Sequence, residues 1–218
     1  MKFIKLENFT KTFHESFGQK VHVLNESNFQ INENEKIGVL GLNGQGKTTL
    51  CRILGGSEPL SSGHRTVSGT VSWPVGIFSS VVPSLTGRQN IHMVCNLYGL
   101  DRDMLVKIVS GNAGIEDFID FRVETYSSGM RAKLVFFLAL AIKFDFYIFD
   151  EITSVGDYKF KSRAEEYFDY IRNTSGIILC SHNATLMKRH VDYCYIVNDK
   201  TISEKMPVDE AIEIYESF

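Results

Sequence analysis

The sequence contains no apolar stretch long enough to cross a bilayer. Its longest unbroken run, Leu134 to Ile142, falls far short of the roughly 20 residues a spanning helix needs. The opening MKFIKLENFTKTF alternates apolar and polar residues and lacks the apolar centre of a signal peptide. No C-x-x-C pair occurs. The four cysteines (Cys51, Cys95, Cys180 and Cys194) sit in apolar surroundings, which points to buried, reduced thiols and against a metal site or a disulfide framework. Positive charge is not in excess, with 23 Lys and Arg against 26 Asp and Glu and a formal net charge of -3. The basic residues form no run, so nothing suggests general nucleic-acid binding. Internal repeats and low-complexity tracts are also missing. If the protein acts at a membrane, another chain does the spanning.

What is present is enough apolar material for a core. Of 218 residues, 44% are hydrophobic and only 22% charged, which suits one domain, or one domain with a lobe inserted into it. Lys2 to Phe13 and Ser27 to Ile31 read as strands, and Asn32 to Glu35 as a polar turn. The apolar strand Ile37 to Leu40 leads into a glycine-rich loop, and a short helix runs from Lys47 to the stop at Gly55-Gly56. Glu58 to Gly69 reads as loop. Helical periodicity begins near Thr86 and lasts to about Lys143, broken by a turn at Gly111 to Gly114, so residues 84–143 form a mostly helical lobe between core segments 1–83 and 144–218. Phe146 to Phe149 and Ile177 to Cys180 are short buried strands separated by a helix over Lys159 to Arg172, an alternation that predicts a parallel sheet with helices on its faces. Tyr193 to Val197 and Thr201-Ile202 suggest a closing hairpin, and Pro207 introduces a last helix ending near Ser217.

Three constellations carry chemistry. Gly41-Leu42-Asn43-Gly44-Gln45-Gly46-Lys47-Thr48 fits G-x-x-x-x-G-K-[ST] without a mismatch, between a strand and a helix. Glycines let backbone N–H groups turn toward phosphates, and the helix start adds its positive dipole end. Lys47 is expected to reach the β- and γ-phosphates of a nucleotide, and the Thr48 hydroxyl to bind Mg²⁺. This loop alone does not separate a kinase, a GTPase and a motor. Phe146 to Glu151 places Asp150 and Glu151 beyond the carboxyl end of a buried strand, where α/β sheets bind ligands. Asp150 suits a magnesium ligand, directly or through water, and Glu151 a group that orients the attacking water. The third is Tyr126-Ser127-Ser128-Gly129-Met130-Arg131, at the start of an apolar helix. Such a helix end binds anions; in isolation it reads equally as an ordinary serine N-cap.

The order of phosphate loop, Y-S-S-G-M, F-Y-I-F-D-E, S-V-G-D and S-H resembles the nucleotide-binding domains of ABC transporters over essentially the whole chain. The resemblance implies an α/β fold, a P-loop NTPase (RecA-like) core with an antiparallel β subdomain and an inserted helical lobe. It also implies that Ser127, Ser128 and Gly129 stand in the signature segment, Asp157 in the D-loop, and His182 at the switch histidine that contacts the γ-phosphate. Phe13 matches the aromatic that stacks on adenine, with core packing as its rival role. ATP held by Phe13, Gly44 to Thr49 and Asp150 of one copy would be capped by the signature of a second, making a homodimer, with Glu151, His182 and Lys47 acting in hydrolysis. Y-S-S-G-M-R, Ser72 to Gly76 and Leu85 to Asn90 are most similar to the ATP subunits of capsular polysaccharide exporters. That likeness implies a polytopic transmembrane partner engaged near residues 77–90, a lipid-linked cargo, and a peripheral position on the cytoplasmic face of the inner membrane. A soluble ABC ATPase acting on ribosomes or DNA, or a nucleotide-dependent interaction module, is the alternative. The chain departs from the family in the signature, with Ser128 where Gly is usual and Met130 where Gln is usual, and Ile77 to Ser84 lacks the Q-loop glutamine, a magnesium ligand in the family.

Overall fold

The computed structural model describes residues 1–14, 19–75, 81–150 and 158–218. In chain order the first elements are β1 (Phe3–His14), β2 (Lys20–Asn32), β3 (Lys36–Leu40), α1 (Lys47–Leu54) and β4 (Ser62–Ser68). Three helices follow: α2 (Gly87–Tyr98), α3 (Arg102–Ala113) and α4 (Ser128–Leu140). The remainder is β5 (Phe146–Asp150), α5 (Tyr158–Thr174), β6 (Gly176–Cys180), α6 (Ala184–His190), β7 (Tyr193–Asn198), β8 (Thr201–Ile202), β9 (Met206–Pro207) and α7 (Val208–Glu216).

The chain divides into two compact units, one of residues 1–74, 144–151 and 170–218, the other of residues 75–143 and 152–169. The first unit holds every strand named above. A three-stranded antiparallel sheet runs β2-β1-β4, and a second sheet runs β5-β6-β3-β7-β8, with β9 pairing β7. Strands β5, β6, β3 and β7 are parallel and buried along nearly their whole length, which is why each reads as a continuous apolar run rather than an alternation. The antiparallel sheet does alternate: Ile4, Leu6, Phe29 and Ile31 turn inward and join Ile37, Val39, Leu50, Ile53, Phe146 and Val197 in one core.

The second unit is helical. A capping box opens α2: the Thr86 hydroxyl accepts from the Gln89 N–H, and the Gln89 side chain accepts from the Thr86 N–H. Asp101 caps α3, and Gly114 in left-handed backbone ends it. Phe136, Phe137, Phe160 and Tyr167 meet edge to face, with ring centroids 5.3 to 5.7 Å apart.

Three local expectations change. Residues 62–68 form a strand rather than loop. β4 is exposed along most of its length, so it shows no hydrophobic period and gains its extended form from pairing with β1. β2 begins seven residues before Ser27, again because β1 supplies partners, including Thr12↔His22 and Phe13↔Val21. The turn foreseen at Gly111 to Gly114 lies inside α3 except for Gly114, whose φ of 64° stops the helix.

Candidate active site

The phosphate loop follows β3, and its backbone is set by glycine. Gly44 and Gly46 hold φ of 82° and 100°, a region that side chains with a Cβ avoid. At Gly46 the lack of a side chain also makes room, because a Cβ there would fall 2.7 Å from Val23 Cγ1. At Gly44 a Cβ would meet nothing within 4 Å, so the crest of the loop faces open space. Gly46 is the N-cap of α1 and, having no side chain, makes no cap bond to the helix's first turn. The leading N–H groups of α1 therefore lack the usual N-cap acceptor, which fits an anionic ligand. Lys47 is buried, and its Nζ donates to the carbonyls of Gly41 at 2.7 Å and Leu42 at 3.0 Å. The ammonium is thus held over the loop's own backbone. Asn43 and Thr48 are exposed, while Gln45 and Thr49 are half-buried.

Pairing of the parallel strands levels three carboxyl ends. Cys180 of β6 stands opposite Asp150 of β5 and opposite Val39 of β3. Asp150, the Ser181-His182 step and the phosphate loop therefore leave one edge of one sheet. Asp150 is only 8% exposed, and His182 is exposed. Behind that edge, the Cys51 thiol of α1 lies 3.0 Å from Cys180 Sγ, and both sulfurs are free thiols. Contact with Cys180 and burial push the Cys51 thiol well above its ordinary value; the Asp150 carboxylate adds to this and the Lys47 ammonium opposes it. Entry to β5 is fixed by Asp145, which accepts from Lys2 Nζ at 2.6 Å and from the Thr70 N–H and hydroxyl at 2.8 and 3.0 Å. Burial raises the Asp145 carboxyl, but these donors outweigh it and leave it below the usual range. Among the described residues, no group of three or more His, Cys, Asp or Glu could cage a metal ion. The Thr48 hydroxyl and Asp150 carboxylate instead suit Mg²⁺, which prefers one or two protein oxygens and completes its shell with phosphate and water.

An open cleft of about 410 Å³ borders the loop, lined by Val21, His22, Val23, Gly44, Gln45 and the turn Asn198 to Lys200. Phe13 stands directly across β1–β2 from cleft-lining Val21, and its ring is half-buried. Val23 is the extra residue of a bulge between Lys11↔Leu24 and Thr12↔His22, which turns it onto Gly46. Neither Val23 nor the first half of β2 stood out in the sequence, since its alternation lasts only from Lys20 to Val23 before Leu24 breaks it.

In the second unit, Ser127 is the N-cap of α4, its hydroxyl accepting from the Met130 N–H at 3.2 Å. Ser127 and Ser128 are exposed and Gly129 half-buried. Tyr126 is buried, its hydroxyl donating to the Phe118 carbonyl at 2.7 Å. Gln89 is committed to the cap of α2. Fully buried Asn90, which the sequence did not single out, accepts from the Val82 N–H at 2.7 Å and donates to the Val82 and Thr86 carbonyls, so it shapes the approach to α2. Glu151, Asp157 and residues 77–80 lie outside the described residues.

A family model described as ABC transporter matches residues 24–154. The polysialic acid transport ATP-binding protein KpsT of Escherichia coli is 40% identical over 198 residues, covering 89% of this chain and 90% of that protein. The capsule polysaccharide export ATP-binding protein CtrD of Neisseria meningitidis serogroup B is 33% identical over 214 residues, covering 98% and 99%. Among solved structures, the dimeric post-hydrolysis state of the ATP-binding cassette MJ0796 bound to ADP and Pi superimposes with a TM-score of 0.81 at 17% identity, over 94% of this chain and 98% of that one. No helix among the described residues is long and apolar enough to cross a membrane.

Proposed function

The chain belongs to the ABC transporter family as an ATP-hydrolysing subunit, and from this premise we propose that it powers export of a capsular-type polysaccharide through a separate transmembrane subunit. One observation carries the nucleotide part: α1 starts from a left-handed glycine with no side-chain cap, beneath a glycine crest open to solvent, with Lys47 fixed over the loop. This is a phosphate cradle. The backbone N–H groups of Gly44 to Thr49 bind the phosphates, and Lys47 exchanges its two carbonyl partners for phosphate oxygens. Asn43 and Gln45 flank the crest. Thr48 and Asp150 hold Mg²⁺, which when bound neutralises phosphate charge. Phe13 stacks on the base.

Glu151 orients and deprotonates the attacking water, and His182 contacts the γ-phosphate from the neighbouring strand end. Ser127, Ser128 and Gly129 of a second copy cap the same phosphate, and Asp157 takes part in nucleotide binding. The pairing is isologous, so each copy gives one cradle and one signature. The γ-phosphate favours the closed pair because only that state contacts it from both copies. Its loss opens the pair, and that motion works the transmembrane subunit bound near residues 77–90. Residues 1–218 act as one nucleotide-binding domain, with core segments 1–83 and 144–218 and a helical lobe over 84–143. The protein sits peripherally on the cytoplasmic face of the inner membrane, held there by its partner. The cargo class rests on likeness to KpsT and CtrD.

The test is turnover and self-association of wild type beside Glu151→Gln, with Mg²⁺ and ATP. Turnover should fall at least about a hundredfold in the variant, which should accumulate an ATP-dependent dimer by light scattering. A variant that hydrolyses at the wild-type rate removes Glu151 from the mechanism. For the cargo, cells lacking the protein should retain polysaccharide inside, with export restored by wild type and not by Lys47→Ala.

A further inference from the structure

Lys11 is a cation placed where water is nearly excluded. Its side chain is only 7% exposed, and its Nζ donates to Glu58 Oε1 at 2.5 Å and to the Pro59 carbonyl at 2.9 Å. The same Nζ stands 4.6 Å from the centroid of the Phe13 ring. Lys11 and Phe13 are two residues apart on β1, so they project from the same face of the strand. Glu58 and Pro59 come from the segment just after α1, so the ion pair ties the strand bearing Phe13 to the end of the phosphate-loop helix. An exposed ion pair would add little stability and leave the ammonium free to wander. Burial and two acceptors fix it over the ring instead.

We propose that Lys11 is a positioning residue for the nucleotide base. It clamps one face of the Phe13 ring, leaving the opposite face for a purine, and a ring polarised by a cation on one side attracts an electron-rich base on the other more strongly. The proposal rests on the reading that Phe13 stacks on the base. It concerns the base alone and leaves phosphate binding untouched, which makes it separable from a purely structural role.

The experiment measures binding of Mg-ATP and of Mg-tripolyphosphate, which has no base, to the full chain by calorimetry. Wild type is compared with Lys11→Met, Lys11→Arg, Phe13→Leu and the double variant Lys11→Met/Phe13→Leu. Lys11→Met should weaken ATP about three- to tenfold and leave tripolyphosphate unchanged. Lys11→Arg, which keeps the cation, should bind ATP close to wild type even if Lys11→Met lowers the melting temperature. In the Phe13→Leu background, Lys11→Met should add nothing further. Equal losses for ATP and tripolyphosphate, or an undiminished Lys11 effect without the ring, would mean that Lys11 only braces the fold and would overturn the proposal. If Phe13→Leu weakens ATP while Lys11→Met does not, the positioning role falls and the stacking role stands. If Phe13→Leu itself leaves ATP affinity unchanged, both fall.

Discussion

Two helices in this chain start at segments assigned to phosphate, and they start differently. α1 begins from Gly46 in left-handed backbone, a residue with no side chain to cap the first turn. α4 begins from Ser127, whose hydroxyl already takes the Met130 N–H. The first start has no cap from its own N-cap residue, which leaves its leading N–H groups to an anion. The second has one of its N–H groups, that of Met130, already capped, and the Ser127 hydroxyl keeps its own proton to donate to a γ-phosphate. Glycine at a helix start, in a backbone other residues avoid, has little purpose except to let something approach. Serine at a helix start stabilises the fold as well, and so announces less.

The contrast can be broken at its strongest point. Gly46→Ala places a Cβ 2.7 Å from Val23 Cγ1 at φ 100°, so it should abolish ATP binding outright in a calorimetric titration. Gly129→Ala at the other start meets only Ser127 Oγ, at 3.9 Å, and should leave ATP binding by the single chain intact. ATP affinity surviving Gly46→Ala would mean that α1 does not receive the phosphates.

A smaller effect separates capping from catalysis at α4. Ser127→Ala removes the cap and should cost about 1 kcal/mol of stability, seen as a lower urea midpoint. Ser128→Ala loses no cap bond and should leave that midpoint nearly unchanged. Turnover should fall in both if the signature caps a partner's nucleotide. A fall confined to Ser127→Ala, scaling with stability, would reduce α4 to an ordinary capped helix.

The smallest effect asks how firmly α1 is seated. The Cys51 thiol is raised by Cys180 and by burial, whereas its ordinary value is 9.0. The unfolded thiol therefore ionises first. This contribution to stability is complete below pH 9.0 and is lost progressively as pH rises above it. Alkylation of native protein at pH 8 should proceed only at the rate of unfolding. Rapid labelling of Cys51 would mean that α1 opens locally.

Much of this was legible in one dimension. The phosphate loop could be read because its function resides in local backbone: glycines at fixed offsets, then a lysine, between an apolar strand and a helix. β3, β5 and β6 were legible because burial on both faces leaves only apolar residues. β4 was not, since an exposed edge strand has no apolar face and takes its conformation from its neighbour. The first half of β2, with Val23, was hidden because four alternating residues before Leu24 are too short a signal. Gln89 and Asn90 stood close to the missing Q-loop glutamine in sequence, yet one closes a capping box and the other braces the turn before α2.

By itself, the sequence determined the chemistry on offer: a phosphate cradle, carboxylates at a strand end, a serine-capped helix start and a histidine after a buried strand. These are short-range patterns, and backbone sterics and helix-end electrostatics act over a few residues. Tertiary structure alone decided that β6 lies between β5 and β3, so that Asp150, His182 and the loop leave one sheet edge. It alone set Val23 against Gly46, Cys51 against Cys180, and the Lys11 ammonium over Phe13 while anchored to Glu58. Most of these contacts join residues far apart in the chain, and even Lys11 over Phe13 depends on Glu58 and Pro59 to hold it there. They arise from strand order and side-chain packing, for which no local pattern in the sequence provides a signal.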